Sequence, residues 1–154
     1  MKEKSLKRIY NSLSHIFSFV LFISISLLSC NRNIDSKIEN CYNINDTLIN
    51  MEDLYPEEWD TLYYFAEGCS LDELEKRIGA TYGYSFVDIG SKLLLVNKQE
   101  VIYNRGWEVT CDEEPEGVYF LFENDPKIVA LPRNKTKFLI KRRGRKSFWV
   151  IHQE

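Results

Sequence analysis

The chain has 154 residues, a formal net charge of −3, 44% hydrophobic and 28% charged residues. That length holds one domain with a leader and excludes two. Only one of the two histidines, His152, lies beyond residue 30, and the sequence has no C-x-x-C pair, EF-hand spacing or phosphate-cradling glycine loop. Two-histidine metal sites, zinc-ribbon sites and P-loop chemistry are therefore excluded.

The N-terminus opens with Lys2, Lys4, Lys7 and Arg8 against the single acid Glu3. Residues 16–28 then run apolar, interrupted only by Ser18, Ser24 and Ser26. A basic segment followed by a short apolar one is the pattern of a secretory signal. A helix of that length rises only about 20 Å, short of the ~30 Å hydrocarbon core. The run ends Leu27-Leu28-Ser29-Cys30, which resembles a bacterial lipobox, with Leu28 in place of the usual small residue. The resemblance implies that residues 1–29 are removed and that Cys30 becomes a fatty-acylated (palmitate-type) N-terminus. It also places the protein in the cell envelope, on the outer membrane. Two or three acyl chains make such an anchor effectively permanent, where one chain binds only reversibly.

Residues 31–50, rich in Asn, Asp and Ser, show apolar residues singly, and we expect residues 30–50 to form a flexible tether. Asp46-Thr47-Leu48 and Asp60-Thr61-Leu62 resemble a bacterial O-glycosylation acceptor, the second in a strand that would hide it. Beyond Cys30 lie Cys41, Cys69 and Cys111. Export favours disulfides, and an odd number leaves one thiol over. Cys69 and Cys111 are the candidate pair, with Cys41 as competitor; three unpaired thiols is the alternative.

Charge is divided along the chain. Residues 35–125 hold 21 acids against six bases, whereas residues 126–153 hold nine bases and no acid. Either the two parts pair within the fold or one of them meets a partner.

Residues 51–154 are expected to form a single small domain. Residues 59–65 are aromatic and β-branched, with Trp59, Thr61, Tyr63 and Phe65 on one face and Leu62 and Tyr64 on the other, and read as a strand buried on both sides. In "CSLDELEKRIG", Ser70 with Glu73 forms a capping box, Leu71, Leu74 and Ile78 share a face, and Gly79 stops a two-turn helix. Strands follow at 84–89, 92–96, 100–104, 118–122, 127–131, 136–142 and 146–152. Connections at 97–99 and 143–145 read as hairpins, and 123–126 as a turn. The expected class is α+β, one short capped helix on a mainly antiparallel sheet of six to eight strands.

Trp59, Asp60, Tyr63 and Phe65, the capped helix and the hairpin "LLLVNKQEVIY" together resemble a group of small bacterial lipoproteins over residues 59–104. The resemblance implies no activity and supplies no catalytic residues.

Two patterns remain as candidates for chemistry. Glu57, Glu58 and Asp60, or the loop acids Asp112, Glu113, Glu114 and Glu116, offer carboxylates for a small envelope hydrolase. The basic residues Arg133, Lys135, Lys137, Lys141, Arg142, Arg143, Arg145 and Lys146 offer a contact patch for anionic headgroups or glycan. The alternative for these bases is protection of exposed strand edges. His152, on a terminal strand, reads as structural. The sequence therefore points to a non-enzymatic binding or accessory module, an inhibitor or immunity-like protein among its versions, with no cofactor or metal. Its partners would be membrane lipid through Cys30 and a protein, not nucleic acid.

Overall fold

In the computed structural model, residues 33–41, 46–108, 116–144 and 147–153 are described, the side chains of 40 and 41 excepted. All of them but Asn33 belong to the unit Ile34–Glu154. In order, the elements are α1 (Ile34–Cys41), β1 (Thr47–Asn50), α2 (Met51–Leu54), β2 (Thr61–Phe65), α3 (Leu71–Ile78), β3 (Ser91–Asn97), β4 (Glu100–Trp107), β5 (Gly117–Leu121), β6 (Ile128–Pro132), a 3-10 turn (Arg133–Lys135), β7 (Lys137–Arg142) and β8 (Ser147–His152).

The strands divide into sheet I, ordered β1-β7-β8-β5, and sheet II, ordered β4-β3-β2-β6. All pairs are antiparallel except β5 with β8. The α+β class with a short capped helix and mainly antiparallel strands is what the structure has, with the strands shared between two sheets. Leu62, Leu93 and Leu95 of sheet II meet Val118, Phe120, Phe138, Ile140, Phe148 and Val150 of sheet I in one core. A second cluster lies on the opposite face of sheet II, where Leu74 and Ile78 of α3 cover Phe65, Leu94 and Val96. Strands β2 and β3 are therefore covered on both faces, which is why they read as apolar runs without alternation.

Helix α3 follows from its own sequence. Ser70 Oγ accepts from Glu73 N–H at 3.2 Å, and Glu73 Oε2 accepts from Ser70 N–H at 2.9 Å. Lys127 Nζ at 2.8 Å and these Ser70 contacts hold the Glu73 carboxyl down at about 2. Gly79, at φ 72°, ends the helix in the left-handed region that glycine enters without a Cβ penalty. We expect Ser70→Ala to cost about 1 kcal/mol, seen as a lower urea midpoint with an unchanged m-value; no change would mean the cap is not holding the helix.

Three expectations are corrected. Residues 30–50 are not a tether throughout, because 34–41 form α1 and 47–50 form β1, and Ile34, Ile38 and Ile49 are core residues. Ile34 and Ile38 stand one helical turn apart, which puts both on the face that enters the core. Residues 84–89 form no strand. Tyr84, Val87 and Ile89 are 45%, 52% and 57% exposed, and among the described residues the segment's backbone has one backbone hydrogen bond to the rest of the fold, Asp88 O accepting from Gly68 N–H at 3.3 Å. Alternation makes a strand only where a ladder partner exists, and sheet II ends at β4 and β6. Trp59 is not in the strand it precedes. It is 2% exposed, and its Nε1 donates to Tyr55 O at 3.0 Å.

The β3–β4 hairpin turns on Lys98 and Gln99, both at positive φ. Asp60 Oδ2 accepts from Lys98 N–H at 2.9 Å and Asn97 Nδ2 donates to Glu58 O at 3.2 Å. These contacts hold a turn type that usually recruits Asn and Gly. The turn at 123–126 is present, with Asn124 and Asp125 at positive φ, but it carries the chain from sheet I into sheet II.

Candidate functional site

Sheet I presents one face to the core, so alternation sends Leu48, Tyr119, Leu121, Lys137, Leu139, Lys141, Trp149 and Ile151 to the other. Register aligns Leu48, Leu139, Ile151 and Leu121 in one row across four strands. The next row along is Lys141, Trp149 and Tyr119. Leu48 is 53% exposed, and Leu121, Leu139, Trp149 and Ile151 are half-buried. The Arg143 guanidinium lies 3.9 Å over the Trp149 ring. This is an apolar sheet face rimmed by cations.

The predicted basic patch is divided among several places. Arg133 turns to Glu52 at 3.4 Å and stacks 5.2 Å over Trp59, with Nη1 donating to the carbonyls of Glu57 and Trp59. Lys135 and Lys137 line a cleft of about 540 Å³ with Leu131, Asn134, His152 and Gln153. His152 holds that end structurally, Nε2 3.0 Å from Lys135 O and the ring 5.7 Å from Phe122. Lys141 is 3.8 Å from Asp46. Arg142 donates to Gly144 O at 3.1 Å and lies 5.8 Å over Phe148. Arg145 and Lys146 lie outside the described residues. Lys127, Arg133 and Lys141 pair with acids from the first part of the chain, so the charge asymmetry is relieved in part within the fold. Lys137 and Arg143 make no ion pair among the described residues. Strand-edge protection does not account for Lys137, because β1 pairs with β7 there; Lys141 lies one residue beyond that pairing.

The cysteine and carboxylate candidates fare differently. Cys69 is a buried free thiol, Sγ 3.5 Å from Lys127 O, and burial pushes it above the ordinary thiol range. The expected Cys69–Cys111 bridge is therefore not made at Cys69; Cys111, Cys30 and the side chain of Cys41 lie outside the described residues. Asp60 is occupied by the β3–β4 turn, and Glu57 Oε2 sits 3.2 Å from the Tyr55 hydroxyl. Asp112, Glu113 and Glu114 also lie outside. Among the described residues, no group of three His, Cys, Asp or Glu could hold a metal and no helix is long and apolar enough to cross a membrane.

A site that the sequence did not suggest lies on the outer face of sheet II. Residues Tyr82, Ser85, Val87, Ile89, Lys92, Asn104, Gly106, Trp107 and Glu108 line a cavity of about 360 Å³. Its floor follows from register, because Lys92 on β3 stands opposite Gly106 on β4. The wall is the irregular segment 81–90, pinned where Gly90 (φ 82°) passes the Trp107 carbonyl so closely that a Cβ would sit 2.4 Å from its oxygen. The Lys92 residue is 8% exposed. Burial pushes its ammonium below the ordinary lysine value, against the pull of Asp88.

No family model matches the chain, and no curated protein and no solved structure matches it.

Proposed function

We propose that the protein is a lipid-anchored binding module of the bacterial cell envelope that works without catalysis, and that the outer face of sheet I rests on the anionic headgroups of the membrane holding Cys30. The observation that carries this reading is the Leu48–Leu139–Ile151–Leu121 row with Lys137, Lys141 and Arg143 beside it. A row of half-exposed leucines and isoleucine suits the acyl–headgroup boundary, and each nearby base adds up to about 1 kcal/mol against an anionic leaflet. The correction at residues 34–50 adds to it. Only Asn31, Arg32 and Asn33 separate an acylated Cys30 from α1, and an extended residue spans at most about 3.5 Å.

An inhibitor or immunity-like role, with an acidic face entering a basic cleft, gains less support. Asp35, Asp46, Glu52 and Glu73 already face Arg105, Lys141, Arg133 and Lys127. The hydrolase alternative gains nothing from Glu57 and Asp60, whose carboxylates are engaged locally.

Two measurements test the reading. Intact mass of the protein from native membranes should begin at Cys30 and carry two or three acyl chains; an unmodified mass ends the anchor reading. The anchored protein in vesicles with headgroup-level spin-labelled lipid should then show quenched Trp149 emission when phosphatidylglycerol is present. Trp149→Phe should remove the quenched component, and Lys137→Glu with Lys141→Glu should abolish the dependence on anionic lipid. Emission indifferent to the quencher would free this face for a protein partner instead.

A further inference from the structure

A lysine ammonium carries three donors. Lys92 Nζ uses them poorly: Gly90 O lies 3.5 Å away and the Phe86 ring centroid 4.7 Å away. Among the described residues no carboxylate reaches ion-pair distance of it. Buried cations in folded proteins are paired, because leaving water without a counter-charge is costly, and an under-partnered one calls for an explanation. Here the Lys92 side chain lines a cavity, with space above Gly106. A Cβ there would meet only Ser91 O at 3.7 Å and Lys92 Cγ at 4.0 Å.

Two further donors line the same cavity. Asn104 Oδ1 accepts from the Tyr82 hydroxyl at 2.7 Å, which leaves its Nδ2 without a hydrogen bond among the described residues, and the Ser85 hydroxyl is likewise unengaged. The rest of the lining is apolar in part, through Val87 and Ile89. Both are more than half exposed and so are open to a guest. A volume of about 360 Å³ lies at the small end of ligand cavities, which run roughly 300–1,000 Å³. Glu108 at the rim disfavours a doubly charged guest.

We propose that this cavity binds a small organic monoanion, a carboxylate on an apolar body, with the carboxylate seated on Lys92 and the apolar part against Val87 and Ile89. Asn104 Nδ2 and Ser85 Oγ complete the set of donors. The proposal does not depend on the anchor or on the outer face of sheet I.

Benzoate is the probe, with benzamide as its neutral counterpart and inorganic phosphate as the competing anion. The ¹⁵N-labelled full chain in detergent micelles is titrated with each. Benzoate should move the resonances of residues 82–92 and 104–108 saturably, and bind roughly tenfold or more tightly than benzamide, the factor expected of one ion pair. Lys92→Met should lose that preference while keeping the fold, and Gly106→Leu, which fills the floor and leaves the charge in place, should lose benzoate binding altogether. The second variant decides the matter where the first fails to fold. Equal binding of benzoate and benzamide, tighter binding of phosphate, shifts that map elsewhere, or unaltered binding by Gly106→Leu would each overturn the proposal.

Discussion

Ile38→Ala is expected to lower the unfolding free energy of the full chain by about 3 kcal/mol, within the range of roughly 2–5 for burying an alanine where an isoleucine was. Ile38 is wholly buried, in the core shared by the two sheets, with Ile34 one turn before it. Helix α1 is also fastened by polar contacts, since Lys37 Nζ donates to Leu54 O at 2.8 Å and Asp35 meets Arg105 of β4. The cavity left by the missing side chain would lie in the core where α1 meets α2 and β5, elements held by their own contacts, so little collapse can offset it. Leu48→Ala, at a position 53% exposed, should stay within about 0.5 kcal/mol. Urea unfolding of the two variants beside the parent separates the cases. Equal midpoints for Ile38→Ala and the parent would restore a tether to residues 34–41.

What could be read from sequence was local. Ser70, Glu73 and Gly79 define α3 within ten residues, and the helix stands where they put it. The apolar run of β2 announced burial on both faces, because the inter-sheet core covers one side and α3 the other; β3, read only as a strand, is covered in the same way. What depends on distant partners was not legible. The Glu123–Pro126 turn has the residues of a hairpin, yet β5 leaves it to pair in parallel with β8, far along the chain. The amphipathic signal of α1 is two isoleucines among Asn, Asp and Ser, too short a period to outweigh composition. The segment 84–89 alternates like a strand but pairs with no strand of either sheet. The Lys92 cavity was invisible for the same reason. Lys92 counted only as one base among six, and nothing along the chain tells that Gly106 stands opposite it. The basic patch was contiguous in sequence, but β-alternation and the 3-10 turn send its members in different directions.

The second large effect is expected at Arg105, where the edges of both sheets and α1 meet. Its side chain is 12% exposed, with Nε 2.7 Å from Asp35 and Nη2 donating to Val118 O of β5. The guanidinium also lies 5.0 Å from the Trp107 ring and 5.8 Å from Phe120. One residue of the edge strand of sheet II thus reaches the edge strand of sheet I and the first helix. Asp35→Ala leaves this cation without its carboxylate in a place water reaches poorly, and should cost about 3 kcal/mol, the loss typical when one member of a buried pair is removed. Arg105→Met should cost a similar amount or less, because the aliphatic part keeps its packing on the two rings. The double variant Asp35→Leu with Arg105→Met removes both charges and fills the space. It should be more stable than Asp35→Ala alone, since neither ion then has to be kept from water. A double-mutant cycle of unfolding free energies, built on Asp35→Leu and Arg105→Met, reads the coupling directly, and a value of about 1.5 kcal/mol or more is expected for partners in contact. Strict additivity would mean that α1 is held by Ile34, Ile38 and the Lys37–Leu54 hydrogen bond and that the ion pair only orients it. Strong coupling would mean that the first turn of the folded domain, the part nearest Cys30 in the chain, is locked to both sheets by a single guanidinium.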